Sequence, residues 1–231
     1  MLNQNQIKAL AKIAGLRLNY IDDVPVSVLG SDDRYIQYPY EDFKSELELD
    51  DIRLQWLLGM DNFVAGGSVL NWIWGEDTNQ DVDFFFRQGD KIDTFTAFIE
   101  SIGFVYTRDT MYAKTYFEPN DNLVIQVVGH IDDSHTTFYS FGHPTQIIDR
   151  FDIHLCKFAV DKDYVYMSTQ AVRDLLKLTV DATGHEKPLF INRLFKYIQK
   201  GFYCSPRIRM CLKYDKPQRK QETMGKYYET W

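Results

Sequence analysis

The sequence predicts an α+β fold, with a mixed sheet, flanking helices and a helical C-terminal lobe. Three observations carry this. Short apolar runs bounded by turn residues, clearest in "DNFVA", "DVDFFF" and "NLVIQVV", read as strands. Between them, "KIDTFTAFIESIGF" repeats Ile92, Phe95, Phe98, Ile99 and Ile102 at three- and four-residue steps, the period of an amphipathic helix. Past Ser168 helical periodicity takes over, with "LFINRLFKYIQKGF" the strongest C-terminal helix.

In chain order, Ile7, Leu10, Ala11 and Ala14 give a short helix that Gly15 ends. Residues 21–40 read as loop, with one short strand in "VPVSVL". A helix is expected from Tyr40 to Leu58, with Gly59 as its stop. "DNFVAGG" is a strand running into glycines, and Ser68 suits the N-cap of a helix through "VLNWIW" to Gly75. "MYAKTYF" and "NLVIQVVG" form a strand pair around the turn "EPNDN". "DRFDIHLCKFAVD" and "YVYMS" form another, joined at Asp161-Lys162-Asp163. This divides the chain into an N-terminal helix and loop extension (1–50), a core (51–168) and a basic helical lobe and tail (169–231).

With 231 residues and 45% hydrophobic content the chain can bury a sizeable core, and 15% aromatics argue against disorder. No apolar run reaches the ~18 residues of a membrane span, and the N-terminus lacks a signal peptide's continuous apolar core. The expected location is cytoplasmic. Three cysteines without ligand spacing indicate neither a disulfide scaffold nor a zinc ribbon. Net charge is −7, yet ten basic residues lie between Lys187 and Lys220 against few acids. That asymmetry suits either a polyanion-facing lobe or an ordinary solvated face.

The stretch "FVAGGSVLNWIWGEDTNQDVDFFF" carries the chemistry. On a strand Asp81 and Asp83 share one face while Val82 points to the other. Two adjacent carboxylates repel, and burial raises the cost. A divalent cation relieves it, and magnesium combines a few carboxylates with phosphate oxygens. Gly66, Gly67 and Ser68 supply the complement: backbone N–H groups open to an anion, a helix N-terminus and a hydroxyl donor. Either half alone is common in turns and strand ends. In this order, with three phenylalanines after the acids, they are specific.

Apolar-Gly-Gly-Ser, a short helix and Asp-x-Asp in an apolar strand resemble the signature of the DNA polymerase β-like nucleotidyltransferase superfamily. The motif covers Val64 to Phe86, and element order extends the likeness to about residue 160. "FDIHLCKFAVD" and "NRLFKYIQKGF" are similar to small, often phage-borne members, for which the expected cytoplasm would be the host's. The resemblance implies a polymerase β-like nucleotidyltransferase core, NTP as substrate, and two magnesium or manganese ions. It also implies a third carboxylate on a neighbouring strand. Asp152, at the start of an apolar run, is the candidate; Gln126 fills the polar slot of the other candidate strand, where an acid would be missing. Arg193, Lys196 and Lys200 fall on one helix face and either reach the β- and γ-phosphates or line a solvated face.

There are departures. CCA-adding enzymes carry Arg-Asp early in the helix after the glycines, where this chain has Leu70-Asn71. His130 and His135 match no zinc template, and His154 either lines the site or is a core histidine. The expected function is transfer of a nucleoside monophosphate from an NTP to a hydroxyl, with pyrophosphate release. An RNA or tRNA 3′ end is favoured as acceptor because of the basic lobe. The alternatives are an inactive RNA- or nucleotide-binding module, with tail aromatics stacking bases, and a protein-modifying, AMPylating or toxin-like enzyme.

Overall fold

A computed structural model describes residues 2–21, 24–29, 34–76, 81–110, 112–129, 141–183 and 189–214. Helix α1 (Gln4–Ile13) starts at a capping box between Asn3 and Gln6. It is followed by a hairpin of β1 (Arg17–Ile21) and β2 (Val24–Leu29). The next elements are β3 (Tyr35–Pro39), α2 (Tyr40–Leu47), β4 (Asn62–Ala65), α3 (Gly67–Trp74), β5 (Val82–Phe86), α4 (Ile92–Ser101), β6 (Val105–Asp109), β7 (Ala113–Glu118) and β8 (Leu123–Val128). Beyond them come α5 (Pro144–Asp149), β9 (Phe158–Val160), β10 (Tyr164–Ser168), α6 (Thr169–Leu176), β11 (Thr179–Val180), α7 (Leu189–Gln199), β12 (Tyr203–Cys204) and α8 (Pro206–Tyr214).

The main sheet has eight strands in the order β3-β10-β9-β4-β5-β8-β7-β6. Only the β5–β8 pairing is parallel, so the sheet is mixed, as expected. It reaches back into the segment read as an N-terminal extension, because β3 pairs with β10 and α2 follows it directly. No described helix is long and apolar enough to cross a membrane.

Both faces of the sheet are covered, which explains the sequence of β5. Val82, Phe84 and Phe86 point into the larger core, with Val64, Ile125 and Val127 beside them and α4 across through Phe95. Phe85 points the other way, stacks on Phe63 at 5.8 Å and meets a smaller cluster closed by Ile147 and Ile148 of α5. A strand buried on both faces reads as a continuous apolar run. Asp83 shares the face of Phe85, and Asp81 lies just before the strand.

Three expectations are corrected. The helix from Tyr40 stops at Leu47, far short of Leu58, with Glu48 in the left-handed region at φ 53°. Glu48, Asp50 and Asp51 set negative charge against the negative end of the helix dipole, so extension is unfavourable. The run "DRFDIHLCKFAVD" is not one strand: α5 ends at Asp149, a 3-10 turn spans His154–Cys156, and pairing starts only at Phe158. β6 lies in a segment given no strand by its pattern; its five residues are all exposed at the sheet edge, leaving no alternation to read.

The C-terminal lobe is helical and fastened to the core. Phe202 packs on Trp74 at 5.1 Å, and β12 pairs in parallel with β11. Arg207 bridges to Asp181 at 2.9 Å.

Glycine adopts the conformation of Glu48 without steric cost. Glu48→Gly should therefore raise unfolding stability by about 0.5–1 kcal/mol in urea denaturation. A loss of stability would rule out this account of why α2 is short.

Candidate active site

The cradle is built where β4 turns into α3. Gly66 sits at φ 89°, ψ −139°, a conformation other residues reach only under strain, and a Cβ there would lie 3.5 Å from the Phe151 ring. Gly66 is the helix cap and Ser68 the second helical residue, so Ser68 is not the N-cap expected from its type. Its hydroxyl is freed by that shift: Ser68 Oγ is buried and has no hydrogen-bond partner among the described residues. The first turn of α3 holds no acid, so its N–H groups present an uncompensated positive end.

Facing the cradle are the two carboxylates. β5 and β8 run parallel with Asp83 opposite Gln126, and Gln126 Nε2 donates to Asp81 Oδ2 at 2.7 Å. Asp81 is exposed and Asp83 partly buried. Burial, then the charge of Asp81, push Asp83 up to about 7, against the opposing pull of Lys196.

The third wall is α7. Gly66, Gly67, Ser68, Asp81, Asp83, Gln126, Arg193 and Lys196 line one cleft of about 510 Å³, together with Tyr197, Cys156, Phe85 and Phe151. Its polar lining is concentrated: a helix N-terminus and two cations surround two acids. Tyr197 and Cys156 fix α7 through a 2.7 Å bond between phenol and thiol. Burial pushes the Cys156 thiol up to about 11, so it is protonated at neutral pH. A second cleft of about 450 Å³ between α3 and residues 48–53 shares Ser68 with the first and reaches Val82, on the other face of β5 from the acids.

Two predicted site residues are placed elsewhere. Asp152 lies in the irregular segment before the 3-10 turn. Arg193 grips both its oxygens, at 2.9 and 2.5 Å, and the Ile153 N–H donates to it as well. Asp152 therefore anchors Arg193 and does not line the cleft beside Asp81 and Asp83. Lys200 is two turns beyond Arg193, about 10 Å along the helix axis. There it donates to Asn71 Oδ1 at 2.7 Å and pairs with Glu76, clamping α7 to the C-terminal end of α3. Arg193 and Lys196 keep the cleft; Lys200 holds the lobe.

Other candidates resolve as core. His154 is buried on the 3-10 turn with Nδ1 3.3 Å from Asp174, outside the cleft. Tyr197 and Phe202, read as possible base-stacking residues, are buried, whereas Phe195 and Tyr203 are exposed. His130, His135, Tyr227 and Tyr228 lie outside the described residues. What the sequence did not indicate was the pairing of Asp152 with Arg193, since no local pattern links residues 41 positions apart.

Asp81 and Asp83 suit a hard divalent cation in oxygen coordination, with the orphaned Ser68 hydroxyl and α3 N-terminus beside it for phosphate. Among the described residues, no group of three or more Asp, Glu, His or Cys is placed to hold a metal ion. The ligand set therefore fits a cation that completes its shell from a bound phosphate and water.

The profile of the Gabija anti-defense 2 family matches residues 36–178. No curated protein matches the chain by sequence. Among solved structures, a CCA-adding enzyme in complex with ATP superposes with a TM-score of 0.61 at 15% identity, covering 81% of this chain and 48% of that one. The apo form I of a CCA-adding enzyme gives 0.59 at 16% identity, covering 81% and 47%. A CCA-adding enzyme with CTP gives 0.56 at 14% identity, covering 79% and 45%. The chain thus has the nucleotidyltransferase fold and spans about half the length of the solved structures it matches.

The raised Asp83 makes a signed prediction. Its carboxylate is ionised in the unfolded chain above about 4 but held protonated in the fold up to about 7. It therefore subtracts from stability as pH rises through that window. Without divalent metal, Asp83→Asn should be more stable than wild type at pH 8 by roughly 1–3 kcal/mol. The advantage should vanish near pH 4 in denaturant titrations; an advantage independent of pH would refute the assignment.

Proposed function

Starting from a chain that belongs to the Gabija anti-defense 2 family and has a polymerase β-like nucleotidyltransferase fold, we propose that it is a metal-dependent nucleotidyltransferase serving an anti-defense role. The observation that carries this is the orphaned Ser68 hydroxyl at a glycine-capped helix start, across one cleft from Asp81 and Asp83. An unpartnered buried hydroxyl costs on the order of 1–3 kcal/mol unless a ligand satisfies it. A phosphate oxygen is the acceptor that the adjoining N–H groups also favour.

In this reading Ser68 and the first N–H groups of α3 bind the terminal phosphates of an NTP. Lys196 and Arg193 meet the same charge from α7, with Arg193 oriented by Asp152. A divalent cation held by Asp81 and Asp83 would supply Lewis acidity at the α-phosphate. The acceptor hydroxyl gives its proton to water, its oxygen bonds to the α-phosphorus, and the bond from that phosphorus to the bridging α–β oxygen breaks as pyrophosphate departs. Gln126 keeps Asp81 turned toward the cleft. RNA is the favoured acceptor: the solved neighbours include CCA-adding and tRNA-processing enzymes, and the C-terminal lobe is basic. A protein hydroxyl is the competing acceptor.

One observation favours a second reading, an NTP-binding module without chemistry. The residue opposite Asp83 on the adjacent strand is Gln126, an amide in the polar slot of the alternative strand for a third carboxylate, while Asp152, the first candidate, is paired with Arg193.

The test is incubation with each α-labelled NTP, magnesium and either total RNA or total protein. Label should enter one polymer with one pyrophosphate released per nucleotide. Asp81→Ala/Asp83→Ala should lose about 10³-fold or more in rate, and Ser68→Ala should raise KM about 10-fold through loss of one charge-assisted bond. Full activity in the double variant would sink the mechanism, while tight NTP binding without pyrophosphate would establish the second reading.

A further inference from the structure

The resemblance implies two metal ions, yet among the described residues those around Asp81 and Asp83 provide for fewer. Across the sheet from Asp83 the row continues through Gln126 of β8 to Thr115 of β7, an amide and then a hydroxyl. The other residues of β8 are all aliphatic. On the opposite side β4 contributes Val64 and Ala65. Neighbouring strands lie about 4.8 Å apart, so these positions are the ones from which a side chain on the sheet could share an ion with Asp83. None is an acid.

Gln126 is also committed. Its amide nitrogen donates to Asp81 Oδ2, which turns the amide's donor end toward the acids and occupies one of that oxygen's two lone pairs. A ligating glutamine would present its carbonyl oxygen. Asp152 is withheld by Arg193, which occupies both its oxygens. On the far side of the cleft Arg193 and Lys196 stand as fixed positive charges.

We infer that the cleft takes one divalent cation together with a triphosphate, and that Gln126 occupies the position from which a carboxylate would hold a second. Gln126 sets the metal count by donating to Asp81 in place of ligating. The positive charge a second ion would bring to the phosphates comes from Arg193 and Lys196. This rests on the metal–nucleotide reading above, but holds whether or not transfer follows.

The experiment counts ions. Mn2+ bound per chain is measured by equilibrium dialysis and electron paramagnetic resonance, with inorganic tripolyphosphate as a base-independent probe of the cleft. The wild-type chain should bind one ion, and Asp81→Ala/Asp83→Ala none. Gln126→Glu, nearly isosteric, and the shorter Gln126→Asp should each raise the count to two. Asp152→Asn should leave it at one while weakening tripolyphosphate binding severalfold. Two ions in the wild type would overturn the inference and leave the metal–nucleotide reading standing. No bound ion would remove both. A count of one in both Gln126 variants, with folding verified by circular dichroism, would overturn the role given to Gln126.

Discussion

Two carboxylates two residues apart, on one side of a strand at the centre of the sheet, repel each other and resist losing water. The rest of the molecule is organised around holding them there. Phe84 and Phe86 lock β5 into the larger core, and Phe85 stacks on Phe63 on the other face, so the strand cannot turn the partly buried Asp83 out into solvent beside the exposed Asp81 without unpacking both layers. The strain is expressed in Asp83, whose proton is retained to about 7. A fold that keeps this cost in the absence of ligand has a charge deficit that a cation and a phosphate can fill.

The cradle and the acids belong to the sheet, but the positive wall does not. It is carried by α7, and α7 is placed by contacts spread along its length: Arg193 to Asp152, Tyr197 to Cys156, and Lys200 to Asn71 and Glu76. The two Lys200 partners sit at the C-terminal end of α3, whose N-terminal end forms the cradle. One eight-residue helix thus carries Ser68 in its first turn and meets the lobe through Asn71 and the adjoining Glu76.

Much of the core was legible because its signals are local. The alternation and length of "DVDFFF", the period of α4 and the glycines after β4 each specify structure within a few residues. The acids of β5 could be assigned to one face from strand geometry alone. The parts that were not legible depend on distant partners. Asp152 looked like a strand acid because apolar residues follow it, yet that apolar run is a 3-10 turn packed inside the core. Lys200 shares a helix face with Arg193, and only the presence of α3 beneath it turns it away from the cleft. Ser68 had the right residue type for a cap, but Gly66 takes the cap and leaves the hydroxyl free.

The order of the elements along the chain has a consequence for how the cleft assembles. Every strand of the main sheet, and both acids, precede residue 169, whereas the cations facing them are at Arg193 and Lys196. The two sets belong to one packing unit, because Leu194, Tyr197, Phe202 and Ile208 of the later segment are buried in the same core as Phe84 and Phe86. Closing that core brings the cations to the acids, and neither half of the cleft is complete without the other.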